Sequence, residues 1–526
     1  MDGGRELGLE PGAGRRTQAR GLGFQGPVFP VTASLVILFI VYAVMDPAQA
    51  SAQMVAARTW AIDHFDWLFM FSGNAFVLFC IALILLPVGN VRLGGGYARP
   101  EFSRVSWFAM LFAAGMGIGL MFWSVAEPVA YYTDWYGTPL NAPANTPEGA
   151  SAAMGATMFH WGLHPWAIYG VVAVAIGFFT YNMGLPPSLR TAFYPLVGDR
   201  VAGWIGHVVD VIAALATIFG LATSLGLGAI QAASGIHFLT GIPNSLNLQL
   251  GIIVVVSSVT LFSVWRGIEG GVKLLSNINM VLATALMVFV AIFGGIVAFM
   301  KGVLTTSMDY AAYLIPLSNW IGRDDQTWLH GWTVFYWAWW ISWSPFVGIF
   351  IARVSKGRTV RELLIAVLLV PTLVTLVWMT AFGGNALAQA SGGIGELANG
   401  IGDVSLAMFH MLSNLPLSAL TSALDVVLVM IFFVTSADSG ALVIDSITAG
   451  GKAETPPGQR VFWACLVGII AAILLSAGGK DALSALQAGA VTTGLPFTVV
   501  LLVMMVGLYK ALHRAHYGKS LVFERG

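Results

Sequence analysis

The sequence predicts an all-α membrane protein of twelve transmembrane helices, and three observations carry that prediction. Hydrophobic residues fill 57% of the 526 positions and charged residues only 10%, with a mean hydropathy of +0.80. That composition excludes an ordinary soluble domain, in which about 25% of residues are charged. Apolar runs long enough to cross a hydrocarbon core about 30 Å thick recur along the chain. Lysine and arginine sort between the intervening segments. With the N-terminus inside, only Arg58, Lys301, Arg323 and Lys480 fall on the far side, leaving 21 of the 25 on the near side. Such a bias places both termini in the cytoplasm and calls for an even number of spans.

Taken in order, a Gly- and Arg-rich tail over 1–26 is expected to be disordered. Runs at 27–45 and 64–89 form two peripheral helices within 27–101. The first lacks a cleavage-site pattern and is read as a membrane helix rather than a signal peptide. Runs at 102–132, 152–179, 202–234, 249–265 and 274–300 make a first group of five within 102–304. Between 305 and 327, Asp309, Tyr310, Tyr313, Leu314, Ile315 and Trp320 alternate with polar residues, which predicts an amphipathic helix against membrane lipid at the outer interface. Runs at 329–352, 361–384, 416–447, 460–477 and 483–510 make a second five within 328–510, and 511–526 is a short cytoplasmic tail. Cys80 and Cys465 lie inside apolar runs and act as small hydrophobes.

Two runs carry helix-breaking chemistry, Ala113–Gly119 in the third and Ile341–Pro345 in the eighth. Each glycine costs a helix about 1 kcal/mol, and proline removes a backbone donor. Paired breaks five spans apart point to an inverted five-plus-five repeat with a site near the midplane. Close packing through small residues is the alternative, since Gly115 and Gly119 have the GxxxG spacing.

The aromatic content is concentrated. At 100° per residue, Trp332, Tyr336, Trp339, Trp340, Trp343 and Phe346 share an arc of about 120°, while Trp337 points elsewhere. An interfacial belt explains one or two tryptophans at a span end, not a stripe of three turns. A cage for a quaternary ammonium explains the stripe, because each ring face attracts a diffuse cation by about 0.5–2 kcal/mol. In the fourth run Trp161, Trp166 and Tyr169 share a second broad face. His160 and His164 have the spacing of a metal pair, but no third ligand accompanies them and Pro165 distorts the turn, so packing or hydrogen bonding is expected.

Thr435 and Ser436 place two hydroxyls in the tenth run, suited either to a small hard cation or to bonding back onto their own helix. Of the intramembrane acids, Asp210 and Asp445 lie near the cytoplasmic boundary and suit capping or a loop arginine. Glu127, just before Pro128, lies toward the outer end of its run and suits gating; none is read as a proton carrier. No phosphate-binding loop, nucleophile–base set or soluble domain is present in the pattern, so ATP coupling and an enzyme are not expected, and nothing points to nucleic acid.

The motifs Ala113–Gly119, Phe122–Pro128, Phe159–Tyr169 and above all Tyr336–Val354 resemble the betaine–choline–carnitine transporter family over about residues 27–510. The resemblance implies a transporter core of two inverted five-helix repeats preceded by two extra helices, a homotrimer, and a bacterial inner-membrane location. It implies a tryptophan box of Trp161, Trp166, Tyr169 and Trp340, with Trp339 and Trp343 along the substrate path. The backbone of Gly115, Gly117 and Gly119 would face a substrate carboxylate. Sodium is implied as coupling ion at Thr435 and Ser436 with the carbonyls of Ala113 and Met116. A second sodium site is expected at Thr217 and Phe346, but Leu221 replaces the family's second threonine, against a two-sodium stoichiometry. The expected activity is sodium symport of a glycine betaine-like zwitterion. Proton-coupled choline uptake, sodium-independent carnitine exchange, and a receptor or enzyme with an aromatic pocket are the alternatives.

Overall fold

Eleven helical segments are long and apolar enough to cross a membrane among residues 26–115, 117–266, 269–452, 455–479 and 482–521, which the computed structural model describes. Met116 and, apart from Gly26, the tail expected over 1–26 lie outside these residues. The chain opens with α1 (Val28–Met45) and α2 (Pro47–Leu85). Asp46 accepts a hydrogen bond from the Gln49 N–H at 3.0 Å, and Pro47 takes the first helical position. This cap starts α2 well before residue 64, where the sequence pattern put it, and the helix kinks at Phe65 instead.

The third span is split into α3 (Arg104–Gly115) and α4 (Ile118–Tyr132), with Gly117 extended between them (φ −172°, ψ −178°). Each half is too short to join the eleven. The fourth is split too, into α5 (Pro147–Trp161) and α6 (Leu163–Tyr181), at Gly162 (φ −96°, ψ −125°). Then come α7 (Trp204–Thr240), α8 (Leu246–Arg266), α9 (Glu269–Phe293) and α10 (Ile296–Ser318). The chain ends with α11 (Val334–Val354), α12 (Val360–Met379), α13 (Ser418–Thr448), α14 (Pro457–Gly478) and α15 (Ala482–His516).

Two expectations need correction. The break expected at Ile341–Pro345 does not form, and α11 runs through it. Pro345 cannot donate to the Ile341 carbonyl, but the Ser344 hydroxyl does so at 2.7 Å and closes the gap. The irregularity lies upstream, in a π turn over Leu329–Thr333. The amphipathic helix expected over 305–327 runs instead over Ile296–Ser318. The chain leaves it through Gly322 (φ 70°) and a buried Arg323–Asp325 ion pair at 2.5 Å.

Burial separates an inner set of helices from an outer one. The most apolar stretch of α5–α6 is 94% buried, against 28% for α1, 22% for α8 and 28% for α9. The outer helices leave Leu38, Val254, Phe262 and Val281 exposed, as a lipid-facing surface requires. α6 packs most extensively on α11, and α7 on α13.

Candidate functional site

At the junction of α4, α6, α7 and α11, six aromatic side chains surround one cavity: Trp161, Trp166, Tyr169, Trp339, Trp340 and Trp343. Its volume is about 60 Å³, measured as space for the centre of a water-sized sphere. About 10–15 Å³ on that measure holds one water, so a small organic molecule fits. Trp161 meets Trp340 edge to face, with ring centroids 4.8 Å apart and planes at 74°. Tyr169 lies 5.4 Å from Trp166 and 6.4 Å from Trp340, again edge to face. Trp339 stacks on Trp340 at 4.9 Å.

Four indole N–H groups are turned into the protein. Trp340 donates to the His160 carbonyl at 2.9 Å, Trp339 to Ser224 Oγ at 3.1 Å, and Trp343 to Ser224 Oγ at 3.0 Å and the Gly220 carbonyl at 3.1 Å. Trp161 donates to Glu127 at 2.7 Å. With the polar edges held this way, the rings offer π surface to an occupant. Among the described residues, no lysine or arginine lines the cavity. A cationic apolar head therefore meets attraction and no like charge.

The predicted stripe on α11 does not act as one surface. Trp339, Trp340 and Trp343 line the cavity, whereas Phe346 packs against the edge of Trp343 at 5.3 Å. Trp332 sits in the π turn, out of α-helical register, and lines a separate cleft of about 690 Å³ together with Phe122, Trp123, Trp135 and Ser405. Trp337 faces away, stacked on His164 at 5.0 Å. His164 bonds to Asn74 and His160 to Glu127 and Thr333; no group of three or more metal-binding side chains occurs among the described residues.

The role of Glu127 was not visible in the sequence. It is fully buried and its carboxylate meets four partners: Tyr131 Oη at 2.9 Å, His160 Nδ1 at 2.8 Å, Trp161 Nε1 at 2.7 Å and Tyr336 Oη at 2.5 Å. An acceptor surrounded by donors is what an ionised carboxylate wants. Through its bond to the Trp161 indole, Glu127 holds one wall of the cavity. The pairing of Glu127 with His160 comes from two spans and has no periodic signature.

The glycines divide by environment. A Cβ on Gly119 would lie 2.8 Å from Trp339 and 2.9 Å from Trp161, so this position must be glycine for the two indoles to approach. A Cβ on Gly117 would meet nothing within 4 Å. Gly115 ends α3, and Gly117 and Gly119 flank the start of α4, whose first N–H groups lack helical partners and border the cavity. Gly162 opens the α5–α6 break, where the Leu163 N–H donates to Tyr310 Oη at 2.8 Å. Tyr310 arrives from α10, and a Cβ on Gly162 would lie 2.5 Å from its oxygen.

Of the expected ion ligands, Met116 lies outside the described residues. Thr435 donates to its own helix, at the Ile431 and Phe432 carbonyls (3.0 and 3.2 Å), and Ser436 is half-buried. Ala113 is exposed on α3, which packs chiefly on α11 and α12. Thr217 donates to the Ala213 carbonyl at 2.7 Å. Trp339 pairs with Ser224 and Trp343 with Gly220, an antiparallel register that continues to bring Phe346 level with the turn of Thr217. Leu221 packs on Gly440, so an apolar contact fills its place. Near the chain's basic loops, Asp210 pairs with Arg190 at 2.5 Å and Asp445 with Thr455 and Arg460.

Apolar membrane-length helices, two of them broken beside an enclosed aromatic cavity, are the architecture of a multi-pass membrane transporter. Residues 27–517 match the model of the betaine/carnitine/choline family transporters, and the chain belongs to that family. It is 59% identical over 493 residues to glycine betaine transporter 1 of Vibrio parahaemolyticus, covering 93% of this chain and 94% of that protein. It is 56% identical to a glycine betaine/proline/choline/ectoine transporter of the same organism, covering 94% and 88%. A solved Na+-coupled sialic acid symporter aligns with a TM-score of 0.43 at 16% identity, covering 85% of this chain and 87% of that one.

Proposed function

We propose that this protein imports a quaternary-ammonium or sulfonium zwitterion of the glycine betaine type by sodium symport, through alternating access in a bacterial inner membrane. The observation that carries the reading is the single cavity in which Trp161, Trp166, Tyr169, Trp339, Trp340 and Trp343 meet. The onium head lies among these rings. The carboxylate faces the free N–H groups at the start of α4 beside Gly117 and Gly119, where the helix dipole favours an anion. The names of the two Vibrio relatives support the substrate class.

Sodium binding would turn Thr435 and Ser436 away from their own helix toward the carbonyls of Ala113 and Met116 and complete the outward-facing form. A second ion would have Thr217 and Phe346 beside it, and Leu221 in place of a second hydroxyl argues for one sodium rather than two. The split α3–α4 pair supplies a twelfth span, and twelve spans with both termini cytoplasmic fit the basic-residue bias. Two inverted five-helix repeats follow the peripheral α1 and α2, the interfacial α10 lies between them against lipid, and the chain works as a homotrimer. The test is counterflow of labelled glycine betaine in proteoliposomes, challenged by unlabelled choline, carnitine, ectoine and dimethylsulfoniopropionate. Counterflow inhibited best by the betaines and sulfonium zwitterions supports the reading; absence of counterflow, or inhibition by choline alone, overturns it.

A further inference from the structure

Outside the aromatic cavity, the buried polar groups of α13 include an acid that neither the motifs nor the site explains. Asp425 lies two turns inside α13 and is fully buried. Its Oδ2 accepts one hydrogen bond, from Gln231 Nε2 of α7 at 3.1 Å, and its Oδ1 has no partner. Gln231 is also buried, its Nε2 donates to the Met121 carbonyl of α4 at 3.3 Å, and its Oε1 has no partner either. Ser422, one turn before Asp425 and on the same face, is buried with an unpartnered hydroxyl.

Gln231 thus ties Asp425 of α13 to the Met121 carbonyl of α4, while a carboxylate oxygen, an amide oxygen and a nearby hydroxyl of α13 stay buried without a bond. A carboxylate with one neutral donor in a dry interior costs several kcal/mol unless a positive charge joins it. Charged and titratable groups on the elements packed around α13 include Glu127, Tyr131 and Tyr132 of α4, His207, Asp210 and His237 of α7, Asp438 and Asp445 of α13 itself, Arg460 of α14, His410 of the short helix Ala407–Ser413 and Asp403 before it. The hydrogen bond that Asp425 receives among the described residues comes from Gln231.

We propose that Asp425 and Gln231 form a site for one monovalent cation that the carrier takes up with its substrate. Oxygen ligands suit sodium. A proton meets the same need, binding Oδ1 so that the acid donates to an acceptor beside it. The site is tied to the cavity through Gln231, whose amide holds the Met121 carbonyl one residue past the cavity-lining Leu120. Filling it therefore braces the first turn of α4.

The inference rests on the reading of this chain as a cation-coupled carrier. If the unmutated protein transports without any sodium or proton dependence, that reading fails; if it is coupled, the test concerns Asp425 alone. Proteoliposomes holding the unmutated protein or Asp425→Asn are compared for the sodium concentration giving half-maximal uptake, the ions moved per substrate, and substrate-driven proton entry. If sodium is the occupant, Asp425→Asn raises the half-maximal sodium concentration about tenfold or more and removes one sodium from the coupling ratio. If a proton is the occupant, the variant loses substrate-driven proton entry with its sodium dependence unchanged. An Asp425→Asn protein that keeps all three properties overturns the proposal. Quenching of tryptophan fluorescence by glycine betaine reports folding. Should Asp425→Asn fail that check, Gln231→Met, which deletes the amide oxygen and keeps the carboxylate, must weaken the same cation dependence; an unchanged dependence overturns the proposal equally.

Discussion

Replacing Glu127 by glutamine removes a charge from behind the aromatic cavity while leaving its packing intact. The glutamine carbonyl takes over acceptance from Trp161 and Tyr336, and its amide faces Tyr131 and His160. Tyr131 turns its hydroxyl to accept, and His160 changes tautomer, accepting at Nδ1 and donating from Nε2 to Thr333. Every hydrogen bond can therefore be kept in neutral form. What disappears is the negative charge held 2.7 Å from the Trp161 indole nitrogen. An onium head on the ring face lies on the order of 9 Å from that charge, and 332/(εr) with an effective dielectric of about 20 gives about 2 kcal/mol. Allowing for water near the site, about 1–2 kcal/mol is lost, or about 5–30-fold in affinity. The assay is competition against labelled glycine betaine by two ligands of equal shape, unlabelled glycine betaine and 3,3-dimethylbutyrate, whose tert-butyl group replaces the trimethylammonium. Because both ligands carry the same carboxylate, its interaction with Glu127 cancels in the ratio, and Glu127→Gln should reduce the preference for the betaine over the carbon analogue about 5–30-fold. Equal weakening of both ligands would mean that Glu127 serves packing alone, and an unchanged preference between them would refute the electrostatic argument.

Three further outcomes are expected. Trp340→Leu should raise the transport constant about 5–30-fold, because it deletes a desolvated ring from the cavity. Trp337→Leu, which loses its stack on His164 outside the cavity, should lower thermal stability more than affinity; uptake kinetics and a melting curve on each variant separate the two. Gly119→Ala should displace Trp339 and Trp161 and weaken binding, whereas Gly117→Ala, with open space at its Cβ, should bind nearly as the parent does in a fluorescence titration. Thr435→Ala combined with Ser436→Ala should abolish stimulation of uptake by sodium. Retained stimulation would remove both hydroxyls from the coupling site.

Much of the site is legible in the sequence because it is written in residue types with few other uses in a membrane helix. Trp161, Trp166, Tyr169, Trp339, Trp340 and Trp343 do converge, and the glycine-rich segment before Gly119 does unwind. The failures have local causes. Pro345 looks like a breaker until the Ser344 hydroxyl is seen to replace its missing donor. Trp332 belongs to the stripe only if the helix is regular, and the π turn removes it. The fourth span hides its break at Gly162 because the free Leu163 N–H is satisfied by Tyr310, a residue about 150 positions away that no periodicity connects to it. Glu127 is a single acid in an apolar run, and Asp425, in another, is not singled out by the sequence pattern. Only three-dimensional packing reveals that the first has four partners and the second a single donor.

The central claim, that the aromatic cavity serves sodium-driven uptake of a zwitterion, is tested most directly by the time course of labelled glycine betaine entry into proteoliposomes under an inward sodium gradient at clamped membrane potential. The account predicts transient accumulation above the equilibrium level with sodium outside, none with potassium, and none with Trp340→Leu at substrate concentrations that saturate only the parent. Equal entry with sodium and potassium would contradict it.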